Sequence, residues 1–188
     1  MAHDDWLRNG GYEAIDVPPL LLPELLAWRN HLKFTVILTG RRRVGALTLE
    51  VQTREWVGAK GIRRDELVAR FSGGVLPGEG VLRRRIMSTG ELVFFSVFTA
   101  GLFALLMLVG ELRAPKKFRC AHRDYELRGH DEREVSAAFP PARQELFSRF
   151  DFRGAGAVVG GDLFIEGPLS GHTLATLDAL ARHLATPT

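Results

Sequence analysis

One cysteine, Cys120, is all the chain carries. It cannot close an internal disulfide, and a zinc site built from several thiolates is excluded. The histidines are few and scattered. Cys120-Ala121-His122 is the nearest approach to a ligand pair, sharing a face if the segment is a strand. His172 and His183 lie eleven residues apart, too far along a helix to share an ion, and His3 and His31 have no companion at useful spacing. No metal and no cofactor is expected. Catalytic signatures are equally scarce. No lysine follows a glycine loop in the manner of a phosphate-binding loop, and Gly154-Ala155-Gly156 with Gly160-Gly161 follows a helix and opens a hairpin, the reverse of a dinucleotide fingerprint. Ser170 in PLSGH lacks the flanking glycines of a nucleophile elbow and reads as a helix cap. Asp131 and Glu132 are adjacent and would diverge on a helix, a poor acid–base pair. The expectation is a protein that is not an enzyme.

Disorder is excluded by the composition, with 46% apolar and 25% charged residues among 188. That length holds one ordinary domain or two small ones. The net charge of +3 is mild. Basic runs stand at Arg41 to Arg43 and Arg83 to Arg85, with Arg63-Arg64 between, but Asp65, Glu66 and Glu79 dilute them and no aromatic interleaving is visible, so no nucleic acid is expected as a partner.

What the chain does have is one long apolar run. Leu92 to Gly110, LVFFSVFTAGLFALLMLVG, holds nineteen residues without a charge or an amide side chain. As a helix it would be about 28 Å long, close to the roughly 30 Å hydrocarbon core of a bilayer. It is apolar all round, whereas a soluble core helix normally keeps a polar face. The reading is a single transmembrane helix in a bacterial inner membrane, without a leader before it. A buried core element and an interfacial or re-entrant segment are the alternatives. Ser96, Ala100 and Ala104 form a small-residue stripe suited to docking another helix. Arg83, Arg84, Arg85, Arg113, Lys116 and Lys117 flank the run and are the candidates for contact with anionic lipid headgroups. Within about twenty residues of the run, three Lys or Arg precede it and six follow. The positive-inside rule would then place the C-terminal part in the cytoplasm, against the fourteen Lys and Arg of the preceding region, and sidedness stays open.

Either side of the run, short elements are expected. Residues 1–17 read as a tail, and Pro23 could start a short helix through Asn30. Lys33 to Thr39 and Val44 to Thr53 alternate as strands around a Gly40-Arg41-Arg42-Arg43 connection, Arg63 to Phe71 is read as an amphipathic helix, and Ser72 to Gly80 as a turn-rich linker toward the membrane. Further on come a strand over Phe118 to Leu127, a helix from Glu132 to Ala138 capped by Asp131, and a second helix after Pro140-Pro141 through Phe150. A hairpin over Gly156 to Gly167 with Gly160-Gly161 at its tip and a terminal helix over Thr173 to Leu184 complete the chain.

The expected fold class is therefore α+β: a transmembrane helix at about 92–110, bounded as 89–112, flanked by two small α+β soluble regions at 18–88 and 113–188. The expected function is a non-enzymatic, single-pass accessory subunit of a larger membrane protein complex, whose partners are other membrane subunits and anionic lipid. Energy-transducing, secretion and transport machines are not distinguished. The alternative is a soluble α+β binding protein or enzyme with 92–110 as its buried core, in which both halves would share one sheet.

Overall fold

Alternation of apolar and polar residues governs most of the chain, and it builds one sheet. The computed structural model describes residues 9–23, 26, 34–57, 63–74, 76–85 and 115–185. Its strands are β1 (Glu13–Ala14), β2 (Phe34–Val44), β3 (Leu47–Val57), β4 (Arg63–Ser72), β5 (Gly80–Arg84), β6 (Lys116–Phe118), β7 (Tyr125–Gly129), β8 (Ala155–Val159) and β9 (Asp162–Pro168). They hydrogen-bond in the order β1-β2-β3-β4-β9-β8-β5-β7-β6, and every pairing is antiparallel. The register aligns one row of positions across seven strands, Val51–Ala69–Ile165–Gly156–Leu82–Leu127–Phe118. Side chains in such a row share a face of the sheet, and this face is the core.

Three helices cover that face: α1 (Glu132–Ala138), α2 (Pro141–Arg149) and α3 (Gly171–Ala185). Asp131 caps α1 by accepting from the Arg133 and Glu134 backbone N–H groups, and Pro141 opens α2 at a position where its missing N–H costs nothing. Ser170 Oγ accepts from the Thr173 backbone N–H at the start of α3. Val135, Ala138, Phe147, Leu177 and Leu180 point from these helices into the core. Phe147 rests directly on β8, where a Cβ added to Gly156 would lie 2.8 Å from its ring, and packs edge-on to Phe139 and Phe152 at centroid distances of 6.1 and 5.3 Å. The Tyr125 hydroxyl lies 2.8 Å from both the Phe147 and Phe152 carbonyl oxygens and donates its one proton to either. Burial pushes its pKa up to about 12.

This architecture corrects the expected fold class. Among the described residues the structure is a nine-stranded antiparallel sheet with three helices, and none of these helices is long and apolar enough to cross a membrane. The decisive contact is between β5 and its neighbours. Leu82 pairs with Leu127 of β7 on one side and Gly156 of β8 on the other, so chain from before and after the apolar run lies in one hydrogen-bonded sheet. A single crossing at 92–110 would put these strands on opposite faces of a bilayer, about 30 Å apart, whereas paired strands lie about 4.8 Å apart. The single-pass membrane protein, its inner-membrane location and its two separated soluble regions are accordingly withdrawn. Residues 92–110 themselves lie outside the described residues, as does most of the helix expected from Pro23 to Asn30.

Smaller expectations change as well. Arg63 to Phe71 is not a helix but strand β4, with Leu67, Ala69 and Phe71 on the core face and Glu66, Val68 and Arg70 on the other. Arg41 to Arg43 lie within β2, and the turn falls at Gly45-Ala46, where Gly45 adopts φ +62°. Ser72 to Gly80 leads into β5 in the interior of the sheet. The single strand expected at Phe118 to Leu127 is two strands, β6 and β7, joined by a turn. Helices α1, α2 and α3 and the β8–β9 hairpin, with Gly160 and Gly161 at φ 58° and 84°, lie where the sequence places them.

Candidate functional site: the strapped polar face of the sheet

The face of the sheet opposite the helices is built from the alternate residues of the same strands, and it is rich in charge. One row reads Gln52–Val68–Glu166–Ala155–Arg83–Glu126, and the next reads Glu50–Arg70–Phe164–Ala157–Val81–Arg128. Gln52, Arg54, Glu126, Arg128 and Glu166 are all buried. Charged groups are tolerated there because they are matched. Glu126 accepts from Arg128 Nε at 2.8 Å and from Arg83 Nε, and Lys117 Nζ stands 3.4 Å from its other oxygen. Arg70 grips Asp162 with two donors at 2.8 and 2.6 Å. Burial alone would raise the Glu126 carboxyl, but the hydrogen bonds and charges of Arg128 and Arg83 outweigh it and hold the pKa down at about 2.

Between these pairs lies an apolar depression floored by Val68, Val81, Ala155 and Ala157, and Leu20, Leu22 and Leu26 fill it. They belong to a strap, described at residues 18–23 and 26, that lies over the sheet beside β3. Pro18, Pro19 and Pro23 lack backbone N–H groups, so this segment is a poor candidate for a strand and needs another way to be held. Gln52 and Arg54 supply it. Gln52 Oε1 accepts from the Leu20 backbone N–H at 2.8 Å, Gln52 Nε2 donates to the Pro18 carbonyl at 3.1 Å, and the Arg54 guanidinium donates to the Leu20 carbonyl. A further Arg54 bond to Gln52 Oε1 at 3.1 Å braces the pair, and the Phe34 ring centroid lies 4.4 Å from the guanidinium carbon. Burial lowers the Arg54 pKa, and the charges of Glu66 and Glu166 oppose that shift. Arg54 Nε is buried and has no hydrogen-bond acceptor among the described residues.

The residues singled out in the sequence are placed as follows. Arg83 is part of the polar face through Glu126, and Arg84, at the end of β5, is ion-paired with Asp151. Arg85 is exposed, and its backbone N–H bonds the Asp124 carbonyl at 2.9 Å. Lys116 and Lys117 lie on the edge strand β6. Arg113 and the stripe Ser96, Ala100 and Ala104 lie outside the described residues. The Cys120 and His122 side chains take different partners: the Cys120 thiol donates to Gln144 Oε1 at 3.4 Å, while His122 Nε2 stands 3.1 Å from Glu145 Oε2. Burial pushes the Cys120 thiol up. Among the described residues no group of three His, Cys, Asp or Glu could hold a metal ion. In the sequence Gln52 falls within the strand expected at Val44 to Thr53 and Leu26 within the helix expected from Pro23, and no motif singles out Arg54, Leu20 or Leu22.

Chemically, this face suits recognition better than proton transfer. A carboxylate held at about 2 stays ionised at neutral pH and cannot serve as a general acid, and its oxygens are already engaged. Gln52 and Arg54, both buried, hydrogen-bond backbone polar atoms of the strap. Comparison with family models, with curated proteins and with solved structures finds no match to this chain.

Proposed function

We propose that this protein is a non-enzymatic, partner-binding module that serves as an accessory subunit of a larger protein assembly, with the polar sheet face as its recognition surface. One observation carries the reading. Two buried side chains in the middle of β3 are committed to hydrogen-bonding the backbone of a segment 32 to 34 residues away in sequence, beside a depression that accepts leucine side chains. Backbone bonds for affinity and side-chain depressions for selectivity are the general means by which sheets take up extended polypeptide. The internally paired charges support the same reading, because they present a surface of fixed polarity with the ionised groups held in place. The partner is proposed to be protein, since Arg83 and Arg84, which an anionic lipid would need, are engaged by Glu126 and Asp151.

The test is the mass of the native species. The full chain, tagged and expressed at its natural level, should elute from size-exclusion chromatography with light scattering well above the 20.9 kDa of one copy. It should carry a second protein in fixed stoichiometry, with cross-links to Lys117 or the strap. A native species that is monomeric and free of other chains would contradict the proposal.

A further inference from the structure

We infer that Arg143, with His183 beside it, forms a binding site for a small oxyanion of the phosphate or sulfate type between α2 and α3. This goes beyond the partner-binding reading and does not depend on it.

Arg143 is the third residue of α2 and is 5% exposed. A guanidinium taken out of water needs a counter-charge. Other buried and half-buried arginines of this chain have one. Arg128 and Arg83 share Glu126, Arg70 holds Asp162, and the charges of Glu66 and Glu166 act on Arg54. Among the described residues no carboxylate is paired with Arg143. Burial lowers its pKa, and no acidic neighbour opposes that shift. Its place in the first turn of α2 adds to the deficit, because a helix N-terminus already carries partial positive charge.

The hydrogen bonds show which edge of the guanidinium is open. Nη1 donates to the Ala138 carbonyl at the end of α1, where a cation suits the helix terminus. Nε is buried and has no acceptor among the described residues, and Nη2 makes no bond among them either. Nε and Nη2 together form the side-on fork with which arginine grips an oxyanion through two bonds. The chain uses this fork elsewhere: Arg70 Nε and Nη2 both donate to Asp162 Oδ2, at 2.8 and 2.6 Å. His183, in the last turn of α3, supplies the second group. Burial lowers its pKa first and the charge of Arg143 lowers it further, so the two basic side chains stand close enough to repel. An anion between them accepts from both and turns that repulsion into two attractions. With Arg143 so little exposed, the approach suits a compact ion and not a polypeptide segment.

The experiment titrates the isotopically labelled full chain with sodium sulfate, exchanged for sodium chloride at constant ionic strength so that general screening cancels. Sulfate keeps one charge throughout the range in which histidine titrates. The Arg143 Nε–H resonance should shift and saturate. The His183 pKa, followed on its ring protons, should rise by about half a pH unit or more in saturating sulfate, because a neighbouring anion favours the charged imidazole. His122 and His172 should not follow it. Arg143→Lys keeps a charge near Ala138 but lacks the fork, and it should bind sulfate about tenfold more weakly than the wild-type chain. Circular dichroism establishes that the variant is folded, and the wild-type histidine titration needs no variant. An Arg143 Nε–H resonance that does not saturate, a His183 pKa that sulfate leaves unchanged, or equal sulfate affinity of the Arg143→Lys and wild-type chains would each overturn the inference.

Discussion

Replacing Glu126 by glutamine removes one charge and almost no volume from the polar face. The carboxylate is the acceptor that Arg83 and Arg128 share, and Arg128 is 3% exposed. Removing one member of a buried, hydrogen-bonded ion pair typically costs about 3–5 kcal/mol. The pKa provides a second route to the magnitude. A fall from 4.5 to about 2 would correspond at full value to about 3 kcal/mol, and screening by the water that reaches Arg83 and Lys117 reduces it to about 1–2 kcal/mol. The sign follows from linkage. The folded pKa is depressed, so this stabilisation is fully present above about 4.5 and is lost as the pH falls toward 2. Urea unfolding of the wild-type and Glu126→Gln chains between pH 7 and pH 3 isolates the effect, because other carboxylates cancel in the difference. The variant should be less stable by about 1–3 kcal/mol at pH 7, and the gap should narrow as the pH drops. A gap independent of pH, or two chains of equal stability at pH 7, would refute the assignment of Glu126 as the keystone of this face.

Other outcomes follow from the packing. Phe147→Ala leaves a cavity over Gly156 between Phe139 and Phe152 and should cost about 3–5 kcal/mol in denaturant unfolding, with little change in the slope of the transition. Gly78 adopts φ +77°, and an added Cβ would lie 2.1 Å from the Glu134 carbonyl oxygen, so Gly78→Ala should destabilise by about 2 kcal/mol or more and lower the melting temperature. Cys120, half-buried and with its thiol pKa raised, should react with iodoacetamide at pH 7.5 more slowly than a free cysteine and reach the free rate only in denaturant.

Local signals were readable from the sequence, and non-local ones were not. The helices α1, α2 and α3 announce themselves through Asp131, Pro140-Pro141 and Ser170, whose roles depend on the three or four residues that follow. The β8–β9 hairpin is equally self-contained, since Gly160-Gly161 sets the turn and the alternation on either side sets the faces. Strand β4 was misread because Leu67, Val68 and Phe71 satisfy a helical spacing, while the alternation Leu67, Ala69, Phe71 gains meaning only between β3 and β9. The arginines at 41–43 look like a loop in isolation, but Glu50 and Asp178 bring Arg41 and Arg42 partners from 9 and 136 residues away. The membership of β5 in a sheet with β7 and β8 was masked by the apolar run that follows it, whose length matches a bilayer. Of the polar face, the sequence points to Arg83 through its basic run, while its ion-pair partner Glu126 lies 43 residues further on and leaves no local signal. The buried polar residues could have been sought in the alternation of Gln52, Thr53, Arg54 and of Glu126, Leu127, Arg128.

The central claim is that one sheet gathers chain from before and after the apolar run and presents a face that holds Pro18 and Leu20 through Gln52 and Arg54. A nuclear Overhauser spectrum of the isotopically labelled full chain tests both parts at once. The account predicts backbone cross-peaks from β5 to both β7 and β8, around Leu82 with Leu127 and Gly156, together with cross-peaks from the Gln52 side-chain amide to Pro18 and Leu20. A spectrum in which β5 shows no contact with β7 and β8, while β7 and β8 retain their other partners, would contradict it.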